Sequence, residues 1–163
     1  MLFTLVFLII IIVAAKMSMV TVKQSELVII ERLGRFHSIL EPGLNFVVPF
    51  IDNVRAVVRT DQQNIKVSVN DVISSDNQSL KIDVVLFYTI IDPEKSVYEI
   101  KDLKEGINYL TSTTIRDVVS RYMGNEVMAY RGQVALQAKK VLDEALLAWG
   151  CRLDNANIDN ISK

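Results

Sequence analysis

The chain has 163 residues, with 18 lysines and arginines against 19 aspartates and glutamates, for a formal net charge of −1. This balance excludes the strongly basic surface typical of nucleic-acid-binding domains, so we expect no nucleic-acid partner. The single cysteine, Cys151, excludes an internal disulfide, and the single histidine, His37, excludes a histidine pair for a metal ion.

The first fifteen residues form an apolar segment without a charged side chain. A helix continued from Leu2 to Val20 rises about 28 Å, close to the ~30 Å hydrocarbon core of a bilayer. The sequence therefore predicts a transmembrane signal anchor over residues 1–19. The residues expected in the membrane are apolar, with one lysine whose ammonium reaches the headgroups: Leu2, Phe3, Leu5, Val6, Phe7, Leu8, Ile9, Ile10, Ile11, Ile12, Val13 and Lys16.

Two other interpretations of this segment stay open. Val13-Ala14-Ala15 is compatible with signal-peptide cleavage, although the basic stretch that usually begins a signal peptide is missing. A buried core helix is disfavoured because the segment has no polar face. Basic residues follow the segment and none precedes it, so the positive-inside rule places the bulk of the chain in the cytoplasm. We therefore expect a single-pass protein of the cell (inner) membrane.

The residues after this anchor are enough for one domain or for two small lobes. The run Leu27–Ile30 is continuously apolar, as in a strand buried on both faces, and turns are predicted at Gly34 and at Pro42-Gly43. Farther along, alternation predicts the longest strand, with one apolar face made by Leu80, Ile82, Val84, Leu86, Tyr88 and Ile90.

The run Leu44–Ile51 is apolar on both sides of a strand pleat. It fits an ordinary core strand, but it also fits a loop that dips into the bilayer beside the anchor. Prolines at positions 42 and 49 confine the run to a sheet edge or to an irregular segment. From the residues alone, the two interpretations are equally supported.

Helical patterns follow the strands. Pro93 suits the first position of a short helix ending at Tyr98. Two longer stripes at helical spacing come next, separated by a predicted break at Gly124-Asn125 and a short turn over 126–130. The first stripe is Leu103, Ile107, Leu110, Thr114, Ile115, Val118 and Tyr122, and the second is Val134, Ala138, Val141, Leu142, Ala145, Leu146 and Trp149. Gly150 ends the second helix, and a strand is predicted over 152–161, so the fold class is α+β.

The sequence contains no recognisable catalytic motif, phosphate-binding loop or metal-binding pattern. His37 is interpreted as a surface or turn residue and Cys151 as a small buried hydrophobe. Asp76 and Asp92 fit turn positions whose carboxylates accept bonds from nearby backbone N–H groups. We expect no enzyme and no cofactor. The alternative is a hydrolase that uses His37, and replacing His37 by alanine would test it.

Two motif blocks carry a resemblance to a known family. Glu31-Arg32-Leu33-Gly34-Arg35-Phe36-His37 followed by the stretch 40–52 resembles the opening of the band 7 (SPFH) domain of stomatin, prohibitin and flotillin. The stretches 75–93, 113–123 and 149–150 are similar to the same family in order and spacing. The sequence Glu31-Arg32-Leu33-Gly34-Arg35-Phe36 is most similar to bacterial stomatin-like proteins of the paraslipin branch. The resemblance implies an N-terminal membrane helix followed by a band 7 domain over 20–163, with a mainly antiparallel sheet and packed helices.

The resemblance also implies a function. Members of the family are membrane-anchored scaffolds that oligomerise, organise membrane microdomains and modulate membrane proteases or other membrane proteins. The expected partners are the lipid bilayer, further copies of the chain, and a membrane protease or a nodulation-efficiency-type membrane protein. Candidates for membrane contact are Leu44, Phe46, Val47, Val48 and Phe50. The chain lacks the long heptad helix usual after this domain, so a non-oligomeric adaptor of a membrane-bound protease is the alternative.

Overall fold

The computed structural model describes residue 16 and residues 18–162, which form an α+β fold of eight strands and four helices. The strands are β1 Met19–Val22, β2 Glu26–Arg32, β3 Arg35–Leu40, β4 Gly43–Phe46, β5 Asp52–Arg59, β6 Gln63–Ile73, β7 Ser79–Ile90 and β8 Cys151–Ser162. The helices are α1 Pro93–Tyr98, α2 Leu103–Val119, α3 Gly124–Ala129 and α4 Arg131–Ala148. The chain divides into two compact units, Met1–Asp61 and Gln62–Lys163.

The first unit is built from strands alone. β3, β2 and β5 form an antiparallel sheet in that order, and β1 pairs with β4 in a separate two-stranded ribbon. The continuously apolar run of β2 lies in the middle of its sheet, as its composition predicts. Its side chains join those of β1 and β3 in a small core of Val22, Val28, Ile30 and Leu40, against which Val20 and Val47 pack.

The second unit has an antiparallel sheet in the order β6-β7-β8, with one face covered by helices. The predicted apolar face of β7 is confirmed, since all six of its residues from Leu80 to Ile90 are buried. α2 contacts β6, and α4 contacts β8 and α2. The residues that the helices bury are Ile107, Ile115, Val118, Val119, Val134, Ala138, Leu142 and Leu146.

The helix predictions are confirmed in most details. Pro93 opens α1, and the preceding Asp92 accepts a bond from the Lys95 N–H at 3.2 Å, as a turn acid should. Gly150 follows α4 with a φ of +70°. The strand predicted over 152–161 is present and slightly longer, as β8.

Two predictions in this region are wrong. Gly124 is the first residue of helix α3 and not a break in the helical pattern. The Glu126 carboxylate accepts a bond from the Met123 N–H at 3.1 Å and so caps the start of this helix. The predicted turn over 126–130 is therefore mostly helix. Val141 belongs to the predicted apolar stripe of α4 but is 52% exposed, because the helix contacts the sheet with a narrower face.

Most of the predicted anchor, including Leu2 to Val13, lies outside the described residues; Lys16 is described and is exposed. The predicted continuation of the helix to Val20 is wrong, because Met19 and Val20 belong to strand β1, which pairs with β4. Within the described residues, no helix combines the length and apolarity needed to cross a bilayer. The expected N-terminal membrane helix is therefore not found in the part of the chain that the structure describes, and the anchor stays a prediction from the sequence.

Candidate functional site

The ribbon of β1 and β4 turns one apolar face to solvent. Its strands pair Met19 with Phe46 and Thr21 with Leu44, and directly opposed residues point to the same side. Leu44 is 56% exposed and Phe46 is 72% exposed. The opposite face carries Val20 and Val22 into the core of the first unit. The core-strand interpretation of residues 44–51 is therefore wrong, because this edge strand leaves its apolar side chains uncovered.

Val47 differs from the other four predicted membrane-contact residues. It packs against the core of the first unit, and its N–H donates to the Ser18 carbonyl at 2.8 Å. The Ser18 hydroxyl donates in return to the Val47 carbonyl at 2.8 Å. Val47 thus fixes the segment, while Leu44, Phe46, Val48 and Phe50 are exposed.

An ion pair with a buried carboxylate and a partly exposed guanidinium holds the turn that follows β4. The Asp52 carboxylate accepts a bidentate pair of bonds from Arg32, at 2.7 Å from Nε and 3.0 Å from Nη2. The same carboxylate accepts the Val48 N–H at 2.8 Å. These hydrogen bonds, the one from Arg32 foremost, lower the pKa of Asp52 to about 2. The Asp52 side chain is only 3% exposed, and it joins Arg32 of β2 to the backbone of Val48. It therefore clamps the turn at residues 48–51 to the sheet.

The two most exposed large apolar side chains of the first unit both stand on left-handed backbone. Leu33, at the tip of the β2–β3 hairpin, has a φ of +52° and is 80% exposed; Phe50 has a φ of +71° and is 86% exposed. The Leu33 N–H donates to the Ile51 carbonyl at 3.3 Å, so the hairpin tip adjoins the clamped turn. Such a conformation costs a residue other than glycine about 1–2 kcal/mol.

We group under the name apolar tip the exposed apolar residues of the β1–β4 ribbon, of the turn that follows it and of the hairpin tip bonded to that turn: Met19, Leu33, Leu44, Phe46, Val48 and Phe50. Four of its members, Leu44, Phe46, Val48 and Phe50, are among the membrane-contact candidates that the family resemblance implied, whereas the residue pattern alone left the run undecided. The sequence analysis missed Leu33, although a bulky apolar residue directly before the glycine of a predicted turn is a signal that could have found it. Strained, exposed apolar side chains on a clamped backbone indicate a surface that contacts an apolar phase or partner.

The other candidate residues do not assemble into a site in the described part of the chain. His37 is exposed on β3, and no group of three His, Cys, Asp or Glu side chains there is placed to hold a metal ion. Cys151 is buried, and desolvation raises the pKa of its thiol to about 11. Asp76 accepts bonds from Gln78 Nε2 at 2.7 Å and from the Gly124 N–H at 3.0 Å, which is the structural role predicted for a turn acid.

The order of motifs, the strand-built first unit and the α+β second unit point to one family. The family model described as SPFH domain / Band 7 family matches residues 20–162. The chain belongs to this family. The resemblance indicated by the sequence motifs is thereby confirmed.

Relatives of this SPFH-domain chain come from bacteria, archaea and mammals. It is 38% identical over 151 residues to an uncharacterized protein of Mycobacterium tuberculosis (strain H37Rv), covering 93% of this chain and 39% of that protein. It is 30% identical over 161 residues to an uncharacterized protein of Methanothermobacter thermautotrophicus, covering 99% and 50%. It is 34% identical over 140 residues to the mitochondrial stomatin-like protein 2 of Homo sapiens, covering 86% and 39%. The chain thus spans half or less of the length of these relatives.

Proposed function

We propose that this chain is a membrane-anchored, stomatin-like scaffold that oligomerises and organises membrane microdomains. In this role it modulates associated membrane proteases or other membrane proteins, among them a nodulation-efficiency-type partner. It acts without catalytic chemistry or a cofactor. Membership in the SPFH domain / Band 7 family supports the scaffold role, and the similarity to a stomatin-like protein supports the branch.

The apolar tip is the observation that carries this proposal. Contiguous exposed apolar surface on a soluble fold marks a protein or membrane contact, and full transfer of a phenylalanine or leucine side chain out of water is worth about 1.5–3 kcal/mol. Phe50, Phe46 and Leu33 are the most exposed members of the tip. In our proposal they enter the lipid surface beside a single N-terminal span, with the bulk of the chain in the cytoplasm.

Quenching of tryptophan fluorescence by brominated lipids tests the membrane contact. In a Trp149→Phe background, Phe50→Trp places the only tryptophan on the apolar tip. Gln24→Trp is the matched control, because Gln24 is exposed in the same unit beyond the other end of β2, roughly 20 Å away by strand length. We expect strong quenching at position 50 and little at position 24. Equal quenching at the two positions would contradict the proposed orientation.

The native mass of the full chain in mild detergent, with the detergent mass subtracted, tests self-association. A large discrete assembly supports the scaffold. A monomer that copurifies with a stoichiometric membrane protease would instead support a non-oligomeric adaptor of that protease. A monomer without such a partner would leave neither form of the proposal standing.

A further inference from the structure

The sheet of the second unit has two edges, β6 and β8, and helix side chains bind the backbone of each edge near one end of the strand. On β6 the closure is a bulge at residues 70–71, where the Arg116 guanidinium donates to the carbonyls of Asn70 at 2.8 Å and Asp71 at 2.7 Å. A bulge capped in this way cannot accept a neighbouring strand. The regular half of β6, residues 64–69, comes before the bulge.

On β8 the closure comes from α4. The Lys139 ammonium donates to the Asp154 carbonyl at 2.6 Å, and the Leu153 N–H donates to the Asp143 carboxylate at 3.0 Å. These two helix side chains occupy backbone groups that a further strand would otherwise bind. These contacts cover the first residues of β8 and leave residues 157–161 beyond them, where a bulge places Asp159 outside the ladder with β7 but no helix side chain of the described residues binds the strand's backbone.

A groove runs beside this remaining half of β8. A cleft of about 530 Å³ is lined by Phe87 and Val85 of β7, by residues 157–159 and by the first turns of α4, and an adjoining cleft of about 240 Å³ continues to Ile161. Gly132 lies on α4 two helical turns before Lys139, on the same face, but it has no side chain to reach the edge. A Cβ built at Gly132 would meet no atom within 4 Å. Gly132 is one of the residues that line the first cleft, so a longer side chain at this position would have free space in which to extend.

The two open half-edges lie at the same level of the sheet. Asp83 of β7 pairs with Ser68 of β6 on one side and with Asn160 of β8 on the other. Because β6 and β8 are both antiparallel to β7, they also run in the same direction. A second sheet placed beside the first, with its strand direction kept, would bring residues 64–69 next to residues 157–161.

The charges on these strands favour the same contact. Lys66 forms ion pairs with Asp83 at 3.4 Å and Asp159 at 3.0 Å, so one cation serves two carboxylates across the sheet face. Asp159 lies at the β8 edge and is half exposed. The Lys66 ammonium of a neighbouring copy would supply the second cation to this acidic pair.

We propose that the open half of β8 docks the open half of β6 from a second copy of this chain, so that the sheet continues from copy to copy. This inference rests on the self-association in the proposed function and names its surface. The contact joins two different edges, so it is heterologous, and it closes into a ring when the rotation between copies permits. Filling the groove beside Gly132 should block the contact without disturbing the fold.

Disulfide trapping in the full chain tests the pairing. Ser68→Cys and Asn160→Cys are combined in a Cys151→Ala background and oxidised in mild detergent. Within one copy the two positions are separated by β7, about 9.6 Å apart, beyond the ~7 Å limit for a disulfide. We expect a ladder of cross-linked multimers on a non-reducing gel. The matched control pairs Asn160→Cys with Asn108→Cys, on the exposed side of α2, and should give no ladder.

Groove filling gives a second and independent measurement. Gly132→Trp should lower the self-association constant at least tenfold, whereas Gln133→Trp, one residue along on an exposed face, should leave the native mass unchanged. A dimer from Asn160→Cys alone would show that β8 pairs with itself and would overturn the proposal. A large assembly with no ladder and no effect of Gly132→Trp would overturn it while leaving the proposed function standing. A monomeric unmodified chain would overturn both.

Discussion

Replacing Phe50 by glycine should make the fold more stable and the membrane contact weaker. Phe50 has a φ of +71°, a conformation that costs an L-residue about 1–2 kcal/mol and glycine nothing. The greater freedom of glycine in the unfolded chain offsets about 0.5–1 kcal/mol of this gain. The net stabilisation expected is about 0.5–1 kcal/mol, which corresponds to a rise in Tm of about 1–4 °C for a chain of this size.

The same substitution should weaken the binding of the chain to a membrane. Phe50 is 86% exposed, so nearly the whole side chain is free to move from water into lipid. With about 1.5–3 kcal/mol for a full phenylalanine, its removal should cost about 2 kcal/mol, or roughly 30-fold in the partition coefficient. Cosedimentation with liposomes measures this loss. The measurement uses a chain that starts at Ser18, because this chain lacks most of the predicted anchor, whose own membrane affinity would mask the contribution of the apolar tip.

Phe50→Ala is the control that separates the two effects. Alanine keeps a Cβ at a positive φ, so this variant should lose membrane affinity without gaining stability. If Phe50→Gly binds liposomes as tightly as the parent, Phe50 does not enter the membrane. If Phe50→Gly lowers the Tm, the phenyl ring contributes more to the fold than its backbone strain removes, and the argument from strain is refuted.

Three further outcomes follow from the structure. Asp52 has a pKa of about 2 against an ordinary 3.8, so its stabilising effect is present above about pH 4 and is lost as the pH falls toward 2. The urea midpoint of Asp52→Asn should therefore lie below that of the parent at pH 6, and the gap should narrow below pH 4. Gly132→Ala should stabilise the fold by about 0.5–1 kcal/mol through helix propensity and so raise the Tm, whereas Gly150→Ala should lower the Tm because its φ is +70° and the new Cβ would clash with the backbone carbonyl oxygen of Asp92; thermal unfolding compares the two. Cys151 should react with a thiol reagent at pH 8 only after unfolding, since its thiol is buried and its pKa is raised to about 11; reaction at the native rate of a free thiol would contradict this.

Local pattern was sufficient for much of the second unit. The apolar face of β7 depends only on alternation, and α1 depends only on Asp92 and Pro93, so both could be predicted from neighbouring residues. Gly124 shows where such reasoning ends. A glycine after a helical stripe resembles a helix end, and only the bond from the Met123 N–H to the Glu126 carboxylate, three residues farther on, makes it a helix start.

The apolar tip and the ion pair that clamps its turn depend on contacts that no local pattern contains. Residues 44–51 show no polar alternation, so the sequence could not indicate which side chains would be left uncovered. The clamp joins Arg32 to Asp52 through the register of β2 with β5, and that register includes a bulge. Two residues twenty positions apart cannot be paired from spacing alone when a bulge shifts one strand by a residue.

The edges of the sheet in the second unit are closed only in part, and this supports the proposal that the open parts dock a second copy. An exposed strand edge promotes unwanted pairing, and this chain blocks such pairing with Arg116 on β6 and with Lys139 and Asp143 on β8. A protein that needed only to remain monomeric would gain by extending the same devices along each strand. α4 has the length to do so on β8, yet it carries Gly132 where a longer side chain would fit without a clash. The glycine forgoes up to about 1 kcal/mol of helix propensity, which a docking edge explains and a passive edge does not.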